Sequence, residues 1–260
     1  MTQEVVSNEI ILLKNAVNRE EYKKISRFPL GISVIDYHIK GGVKEGDLII
    51  ISGSSGNGKT LFAQSLTYNF CKKNIKCLWF SYEMTLEALD EKFADMRIDD
   101  FYHAYTPKKV SDRRLEWIES KILEGVKNEG IKLVIIDHLS MIIKANQNKY
   151  ETSESNIDSI VSELKQFAIN NKIILILLTH LTKNLHSDEP EMEDVKGSSS
   201  IYQLADLQLI IMRDKNKSPN IWDNKFLSTS TLKIVKNRET GFTTKLTLEY
   251  KDGRLQEQLY

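Results

Sequence analysis

Apolar residues recur along the chain, from Gly31 onward, in short runs that alternate with segments of helical periodicity. The first four runs are almost wholly apolar, as in strands buried on both faces of a parallel sheet. Later runs alternate apolar and polar residues and end at Lys251-Asp252-Gly253, a turn signal typical of a hairpin. The pattern predicts an α/β domain with a central, mostly parallel sheet flanked by helices and a C-terminal antiparallel hairpin. The predicted strands are Leu48–Ser52, Cys77–Ser81, Leu133–Asp137, Ile173–Thr179, Leu207–Met212, Leu232–Val235 and Lys245–Tyr250.

The first 27 residues show a different pattern, with apolar positions such as Ile10, Leu13 and Val17 at helical spacing between charged residues. This predicts an amphipathic helix, which Arg27-Phe28-Pro29-Leu30-Gly31 would break. We therefore divide the chain into an N-terminal linker or oligomerisation helix over 1–27 and one domain over 28–260. The helix would pack either on a neighbouring subunit or on its own domain.

The composition indicates a globular protein with a buried core and without a net charge that would attract nucleic acid. Lys plus Arg and Asp plus Glu number 36 each, so the net charge is zero and binding to a polyanion would require local patches. A hydrophobic content of 41% is enough for a buried core. The two cysteines, Cys71 and Cys77, are expected to be reduced thiols of a cytoplasmic protein, and no apolar run is long enough to predict a membrane span.

The stretch Gly53-Ser54-Ser55-Gly56-Asn57-Gly58-Lys59-Thr60 follows the first apolar run and fits the pattern G-x-x-x-x-G-K-[ST]. Glycines let the backbone wrap closely around a polyanion, and the N-terminus of the helix that follows favours negative charge. We expect Lys59 to contact the β- and γ-phosphates and the Thr60 hydroxyl to bind Mg²⁺. The motif therefore predicts a site for ATP, or another nucleoside triphosphate, with Mg²⁺. A chance Gly/Ser loop before a helix is the alternative.

Three polar side chains at strand ends could supply the other groups that triphosphate hydrolysis requires. Asp137 ends the run Leu133–Asp137 and is expected to bind Mg²⁺ through water. Glu83 follows the strand Cys77–Ser81 and could hold the attacking water, although a glutamate in the first turn of a helix would show the same pattern. His180 could contact the γ-phosphate, although a histidine at a strand end is often structural.

A basic motif, Lys236-Asn237-Arg238-Glu239-Thr240-Gly241, joins two predicted strands. A guanidinium on a rigid hairpin can act as an arginine finger, and a neighbouring subunit can supply it in trans. Solvated charges at strand ends are the simpler interpretation of Lys236 and Arg238.

In their order, these motifs resemble the RecA-type motor domain of ring-shaped replicative DNA helicases: the DnaB class and, more closely, the phage and mitochondrial primase-helicases. The resemblance covers about residues 28–257. Each motif alone is degenerate, but together in this order they are specific. The motifs are the phosphate loop, Ser81-Tyr82-Glu83-Met84, Val134-Ile135-Ile136-Asp137-His138-Leu139-Ser140, Leu178-Thr179-His180-Leu181, Lys196-Gly197-Ser198-Ser199-Ser200 ahead of Gln203-Leu204-Ala205-Asp206, and Lys236–Gly241.

The resemblance implies a RecA-like P-loop NTPase fold that hydrolyses ATP with Mg²⁺. It implies that Glu83 is the catalytic base, Asp137 the magnesium carboxylate and His180 the γ-phosphate sensor. Arg238 would be the finger acting in trans, and Lys236 its neighbour on the same phosphate. A histidine at the position of His180, where the DnaB class more often has glutamine, is similar to the primase-helicase branch.

The resemblance also implies that two polar loops, residues 144–156 and 182–200, line a central channel for single-stranded DNA. We expect DNA contacts at Lys183, Lys196, Gly197, Ser198 and Ser199, because small polar and basic residues suit contact with phosphates of any sequence. The acidic residues 187–194 would lie away from the strand. A plain solvent loop is the alternative.

The leading hypothesis is an ATP-dependent DNA helicase subunit that forms a homo-oligomeric ring, expected to be hexameric, and translocates on single-stranded DNA, with 5′-to-3′ polarity by analogy. A primase or a loader is a candidate partner. The alternative is a RecA-, RadA- or KaiC-like ATPase that acts as a DNA-binding or regulatory switch and separates no strands. The chain is expected to be either a helicase-only protein or the motor part of a larger one.

Overall fold

The computed structural model describes residues 25–94, 96, 102–105, 114–146, 152–181, 190–195, 198–213 and 229–258. Most of the helix predicted over 1–27 lies outside the described residues, so that helix and the domain boundary after it stay predictions. The helix does not reach Arg27, which belongs to a short strand paired with Val43–Lys44.

Strands and helices alternate over most of the domain, as expected for an α/β fold. The strands are β1 (Arg27–Phe28), β2 (Val43–Lys44), β3 (Leu48–Gly53), β4 (Cys77–Ser81), β5 (Tyr102–Tyr105), β6 (Leu133–Asp137), β7 (Ile174–His180), β8 (Leu207–Arg213), β9 (Thr229–Asn237), β10 (Thr244–Lys251) and β11 (Arg254–Glu257). The helices are α1 (Ser33–His38), α2 (Lys59–Cys71), α3 (Leu86–Ala94), α4 (Leu115–Glu129), α5 (Leu139–Ala145), α6 (Ser153–Asn170) and α7 (Ser198–Leu204), and a 3₁₀ turn spans Met192–Asp194.

One sheet runs through the domain, with strand order β11-β10-β9-β8-β3-β7-β6-β4-β5 among the described residues. The strands from β8 to β5 in this order are parallel, whereas β9, β10 and β11 continue the sheet in antiparallel fashion. Parallel strands end at the same edge, where Gly53 pairs with His180 and Ser81 pairs with Asp137. We call this the phosphate edge. The opposite edge, where β3 begins at Leu48, is the far edge.

The core lies on both faces of this sheet because the central strands are apolar throughout. Every residue of β3, β4 and β6 is buried. Ile49 and Ile51 face the layer that contains α2, whereas Leu48 and Ile50 face the layer built from α4, α5, α6 and α7. This double coverage is what a nearly continuous apolar strand requires.

The predicted fold class is confirmed, and each predicted strand is present with small shifts of its ends. The C-terminal hairpin joins β10 to β11 through Asp252 and Gly253, whose φ angles of 52° and 78° suit a two-residue turn that needs positive φ at both positions. The sequence analysis did not predict β5 or β11. Neither strand contains an apolar run, and in β11 only Leu255 is buried.

Two stretches expected to be loops are partly helical. The first ends in α6, which starts at Ser153 behind the cap Thr152, whose Oγ1 accepts a hydrogen bond from the Ser155 N–H at 3.2 Å. In the second, the backbone of Ser198 and Ser199 opens α7. Residues 147–151, 182–189 and 196–197 lie outside the described part of the chain. Among the helices that the structure describes, none is long and apolar enough to cross a membrane.

Candidate nucleotide site and finger

The phosphate loop joins β3 to α2 at the phosphate edge. Gly58 precedes the first residue of α2 with φ of 89°, a left-handed conformation that glycine adopts readily. A side chain at Gly53 would be excluded, because its Cβ would lie 2.6 Å from the Ile211 carbonyl oxygen. The N-terminus of α2 has no side-chain cap, so its backbone N–H groups remain available to an anion. The loop therefore has the backbone geometry that a triphosphate requires.

Lys59 lies folded over this loop and is 7% exposed. Its Nζ donates to the carbonyl oxygens of Gly53 at 2.9 Å and Ser54 at 3.1 Å, and it is 3.3 Å from Nδ1 of His180. Burial lowers the pKa of Lys59, while the nearby carboxylates of Asp137 and Glu83 oppose that shift. The ammonium thus lies over the phosphate loop, held by neutral groups that a stronger anionic partner can replace.

Asp137 and Thr60 meet at the start of α2. The Thr60 hydroxyl donates to Oδ2 of Asp137 at 2.9 Å, and Asp137 is 2% exposed. Burial raises the pKa of Asp137 to about 6; the Thr60 hydrogen bond and Lys59 oppose the increase, whereas Glu83 adds to it. A hydroxyl and a carboxylate are hard oxygen ligands, which suit Mg²⁺ shared with phosphate oxygens. The predicted pair is therefore present with a donor set that fits this ion.

Glu83 lies on the turn between β4 and α3, ahead of the first residue of that helix, Leu86. The Ser81 hydroxyl fixes the turn by donating to the Met84 carbonyl oxygen at 2.8 Å. The side chain of Glu83 is 45% exposed, and its Oε1 lies 2.9 Å from Nε2 of His138 and 3.7 Å from Nε2 of His180. A carboxylate at the phosphate edge, open to water, has the position that a water-activating group needs.

His138 is a site residue that the sequence analysis quoted in a motif without giving it a role. It follows Asp137, is 7% exposed, and packs edge-to-face on His180 with ring centroids 4.7 Å apart. Burial lowers the pKa of His138 to about 4, against the opposing effect of Glu83. Its position directly after Asp137 was the one sign in the sequence that His138 belongs to the site. The sequence does not reveal its contact with Glu83.

A cavity of about 850 Å³ adjoins the phosphate loop between α2 and the C-terminal strands. The β11 strand forms one wall of it and is held against α2, since the Leu255 N–H donates to Oγ of Ser65 at 2.9 Å. The sequence analysis did not predict this cavity, because its walls come from segments far apart in the chain. Its lining includes Gly58, Leu61, Gln64, Arg213, Tyr250 and Leu255.

The basic motif, which begins with the last two residues of β9, lies at the far edge, away from the phosphate loop of its own subunit. The Arg238 N–H donates to the Asp206 carbonyl oxygen at 2.8 Å, and the Asp206 N–H donates to that of Leu48 at 2.9 Å, so Arg238 lies beside the start of β3. The six residues of β3 separate it from the phosphate loop by about 20 Å. The structure therefore does not bring Arg238 or Lys236 to the other site residues within one subunit.

Both basic side chains contact the C-terminal end of α7. Arg238 donates through Nη1 to Oδ1 of Asp206 at 3.2 Å and through Nη2 to the Gln203 carbonyl oxygen. Lys236 donates to the Tyr202 carbonyl oxygen, and its Nζ lies 4.5 Å from the centroid of the Tyr202 ring. Burial lowers the pKa of Lys236, and Arg238 adds to that effect. The guanidinium is thus oriented by its neighbours and remains 47% exposed.

Of the predicted DNA contacts, Lys183, Lys196 and Gly197 lie outside the described residues, and only the backbone of Ser198 and Ser199 is described, in α7. Leu181, which precedes the second polar stretch, forms an antiparallel bridge with Val195, which lies within it. This bridge brings the residue after His180 next to the residue before Lys196.

Comparison with models of protein families identifies the family of this chain. The model of the DnaB-like helicase C-terminal domain matches residues 28–99 and 106–256, which include every site residue described above. The chain belongs to the DnaB-like helicase C-terminal domain family. The resemblance to the DnaB class drawn from the order of the motifs is confirmed, and the closer likeness to primase-helicases stays a prediction.

Relatives of this DnaB-like domain include both helicases and repair proteins. A probable replicative DNA helicase from Trieres chinensis is 25% identical over 92% of this chain and 60% of its own length. The DNA repair protein RadA from Rickettsia conorii is 27% identical over 71% of this chain and 41% of its own length. The chain spans about half the length of the curated relatives it matches.

Solved structures with the same fold include a DnaB-like replicative helicase, described together with its interactions with primase. It superposes with a TM-score of 0.72 at 18% identity and covers 97% of this chain and 68% of its own. A KaiC-like protein from Pyrococcus horikoshii superposes with a TM-score of 0.66 at 19% identity and covers 90% of this chain and 100% of its own. The DnaB-like domain described here therefore has the RecA-like α/β fold that these proteins share.

Proposed function

We propose that this chain is the motor of a ring-forming, ATP-dependent DNA helicase that acts in the cytoplasm during replication. The observation that carries the proposal is the separation of the two sets of residues. Lys59, Thr60, Glu83, Asp137 and His180 converge at the phosphate edge, whereas Arg238 lies about 20 Å away at the far edge. A finger at that distance can serve only the site of another subunit, which requires an oligomer.

In the proposed cycle, the phosphate loop wraps the triphosphate and Lys59 exchanges its carbonyl partners for phosphate oxygens. Thr60 and, through water, Asp137 would hold Mg²⁺, which neutralises phosphate charge when bound. The cavity beside the loop, with Tyr250 and Arg213 in its lining, is large enough for the nucleoside.

Hydrolysis would begin at Glu83, which accepts a proton from a water molecule as the water oxygen attacks the γ-phosphorus. The bond from that phosphorus to the β,γ-bridging oxygen breaks, leaving ADP and phosphate. Lys59 and the Arg238 of a neighbouring subunit stabilise the negative charge that develops. Six subunits would complete the ring by family analogy.

Coupling to DNA would use the segment after His180. Loss of the γ-phosphate contact at His180 would shift Leu181, and the bridge from Leu181 to Val195 would pass that shift to Lys196 and the start of α7. Lys183, Lys196, Gly197, Ser198 and Ser199 would contact the DNA backbone. The acidic part of the loop would lie apart from the DNA, which is supported by the ion pair of Glu191 with Lys233 of β9. Movement in the 5′-to-3′ direction and a primase or loader as partner also belong to this proposal.

A second candidate function is suggested by the match to RadA, which is 27% identical over 71% of this chain, against 25% over 92% for the helicase relative. The same phosphate loop and carboxylates would serve an ATPase that binds DNA as a switch without separating strands.

The test is ATP hydrolysis by the purified chain with and without single-stranded DNA, run beside light scattering in Mg²⁺ and a non-hydrolysable ATP analogue. We expect a ring-sized particle, stimulation by DNA, and release of an annealed strand from a duplex with a 5′ tail. Lys59→Ala, which removes the phosphate-binding ammonium, is the control and should abolish all hydrolysis. DNA-stimulated hydrolysis without strand release would favour the switch, and a DNA-indifferent monomer would overturn the helicase proposal.

A further inference from the structure

His138 links two polar residues at the phosphate edge. Its Nε2 lies 2.9 Å from Oε1 of Glu83, and its Nδ1 lies 2.5 Å from Oγ of Ser140. The ring is buried between the end of β6 and the first turn of α5, two elements fixed in the core. Glu83, in contrast, lies on a turn and is half exposed. The buried ring of His138 thus restrains the carboxylate of Glu83, which lies on a more exposed turn.

The partners define which ring nitrogen carries the hydrogen. An ionised carboxylate only accepts hydrogen bonds, so Nε2 must donate to Glu83. In the neutral ring Nδ1 then accepts, and the Ser140 hydroxyl donates to it. The result is a directed chain from the Ser140 hydroxyl through His138 to Glu83. Ser140 thereby selects the tautomer that can hold Glu83.

A metal ion is the competing explanation, because Glu83, His138 and His180 lie close enough to resemble a cation site. Lys59 argues against it. Its Nζ is 3.3 Å from Nδ1 of His180, and an ammonium only donates, so Nδ1 accepts and the hydrogen lies on Nε2. Both Nε2 atoms that face Glu83 therefore carry hydrogens, and neither offers a lone pair to a cation.

We propose that His138, oriented by Ser140, is a positioning residue that holds Oε1 of Glu83 and leaves Oε2 directed to the attacking water. In the described part of the chain, both histidine contacts with Glu83 use Oε1. Positioning of this kind raises the rate of the chemical step without changing nucleotide affinity. The inference rests on the proposed role of Glu83 as the base.

Two amide substitutions separate positioning from general structure. The amide nitrogen of glutamine occupies about the place of Nε2, so His138→Gln keeps a donor for Glu83. The amide of asparagine occupies about the place of Nδ1, so His138→Asn keeps a polar side chain beside Ser140 but does not reach Glu83. We expect His138→Asn to lower kcat by about 10- to 100-fold, the effect of losing one charged hydrogen bond. His138→Gln should stay within about 3-fold of the unchanged protein, and Ser140→Ala should fall between the two.

Kd for a fluorescent non-hydrolysable ATP analogue is measured for each variant, with thermal unfolding to check the fold. We expect Kd to stay within about 2-fold, because the phosphate loop is unaltered. If His138→Asn does not fold, the comparison of Ser140→Ala with His138→Gln decides in its place. Equal kcat losses in the Asn and Gln variants, or losses matched by weaker binding, would overturn the proposal.

Glu83→Gln separates this inference from the proposed function. If Glu83→Gln is inactive and His138→Asn alone lowers kcat as expected, both ideas are supported. An inactive Glu83→Gln with a fully active His138→Asn overturns only the positioning role. A fully active Glu83→Gln instead overturns Glu83 as the base, and the positioning role with it.

Discussion

The balance between burial and hydrogen-bond partners differs between Asp137 and Lys59 at the phosphate edge and Glu239 at the far edge. At the phosphate edge, burial raises the pKa of Asp137 to about 6 and lowers the pKa of Lys59, so both groups are charged at a cost. At the far edge, Glu239 accepts hydrogen bonds from Lys44 at 2.5 Å and Arg27 at 2.9 Å, which lower its pKa to about 2. For Asp137 and Lys59 burial therefore outweighs the effect of their partners, whereas for Glu239 the partners outweigh burial.

This difference indicates that the charges at the phosphate edge serve ligand binding, whereas those of Glu239 and its partners stabilise the local structure. A buried charge held only by neutral groups gains from a ligand that supplies charged partners, as a triphosphate with Mg²⁺ would. A charge that already has partners gains little, but it holds the hairpin that carries Arg238. In the proposed ring, the far edge would present a guanidinium and the phosphate edge of a neighbouring subunit would receive it.

The strongest way to break this comparison is to remove the guanidinium. Arg238→Ala should lower DNA-stimulated hydrolysis by about 10³-fold or more, the range for an arginine finger, while nucleotide binding persists. Mixing Arg238→Ala with Glu83→Ala subunits should restore part of the activity. In such a mixture an intact phosphate edge can meet an intact far edge from the other variant. Phosphate release across mixing ratios measures the effect.

Lys40→Ala controls for loss of a far-edge charge, since Lys40 pairs with Glu239 and is 60% exposed. It should keep nearly full activity. Failure of every mixing ratio to exceed the sum of the separate variants would count against a finger in trans.

Charge removal at the phosphate edge should stabilise the protein. The folded pKa of Asp137, about 6, lies above its ordinary value of 3.8, so ionised Asp137 costs stability. The cost is absent below about pH 4, grows as pH rises toward 6 and is constant above it. Asp137→Asn should therefore raise the free energy of unfolding on the order of 2 kcal/mol at pH 7.5. Urea unfolding in EDTA measures this.

The same substitution should abolish hydrolysis if Asp137 has its proposed role, because the amide removes the carboxylate that would hold Mg²⁺ through water. The gain in stability should disappear when the two proteins are compared at pH 4. A variant less stable than the unchanged protein at pH 7.5 would contradict the view that this edge is strained for binding.

Sequence patterns predicted the phosphate edge well because its parts are local. An apolar run that stops at a polar residue marks the carboxyl end of a buried strand, and parallel strands bring such ends together. This logic found Glu83, Asp137 and His180, and the phosphate-loop motif found Lys59 and Thr60. The glycine pattern of the phosphate loop is equally local, since positive φ and close approach leave few other residues.

The remaining features depend on contacts between distant segments, which periodicity does not report. The contact between His138 and Glu83 joins the ends of two strands. The hydrogen bond from Arg238 to Asp206 joins the turn after β9 to the residues between α7 and β8. The cavity lined by Tyr250 needs β11, a strand too polar to be predicted. The sequence supplied the motif of Arg238 but not its distance from the phosphate loop.

The smallest expected effect concerns Glu239, whose side chain is 20% exposed. Its folded pKa, about 2, lies below the ordinary 4.5, so its ion pairs stabilise the protein above pH 4.5 and lose this effect as pH falls toward 2. Glu239→Gln should lower the free energy of unfolding by about 1 kcal/mol at pH 7, less than the pKa shift alone implies because solvent screens the pairs.

Glu124→Gln is the matched control, since Glu124 pairs with Lys121 at 2.6 Å but is 56% exposed. Its effect should be about 0.3 kcal/mol. Urea unfolding at pH 7, 5 and 3 compares the two variants with the unchanged protein, and the deficit of Glu239→Gln should shrink at pH 3. Equal deficits in both variants, or a deficit of Glu239→Gln that is constant with pH, would mean that the far edge gains no more from its carboxylate than an exposed helix does. The contrast between the edges would then rest on Asp137 and Lys59 alone.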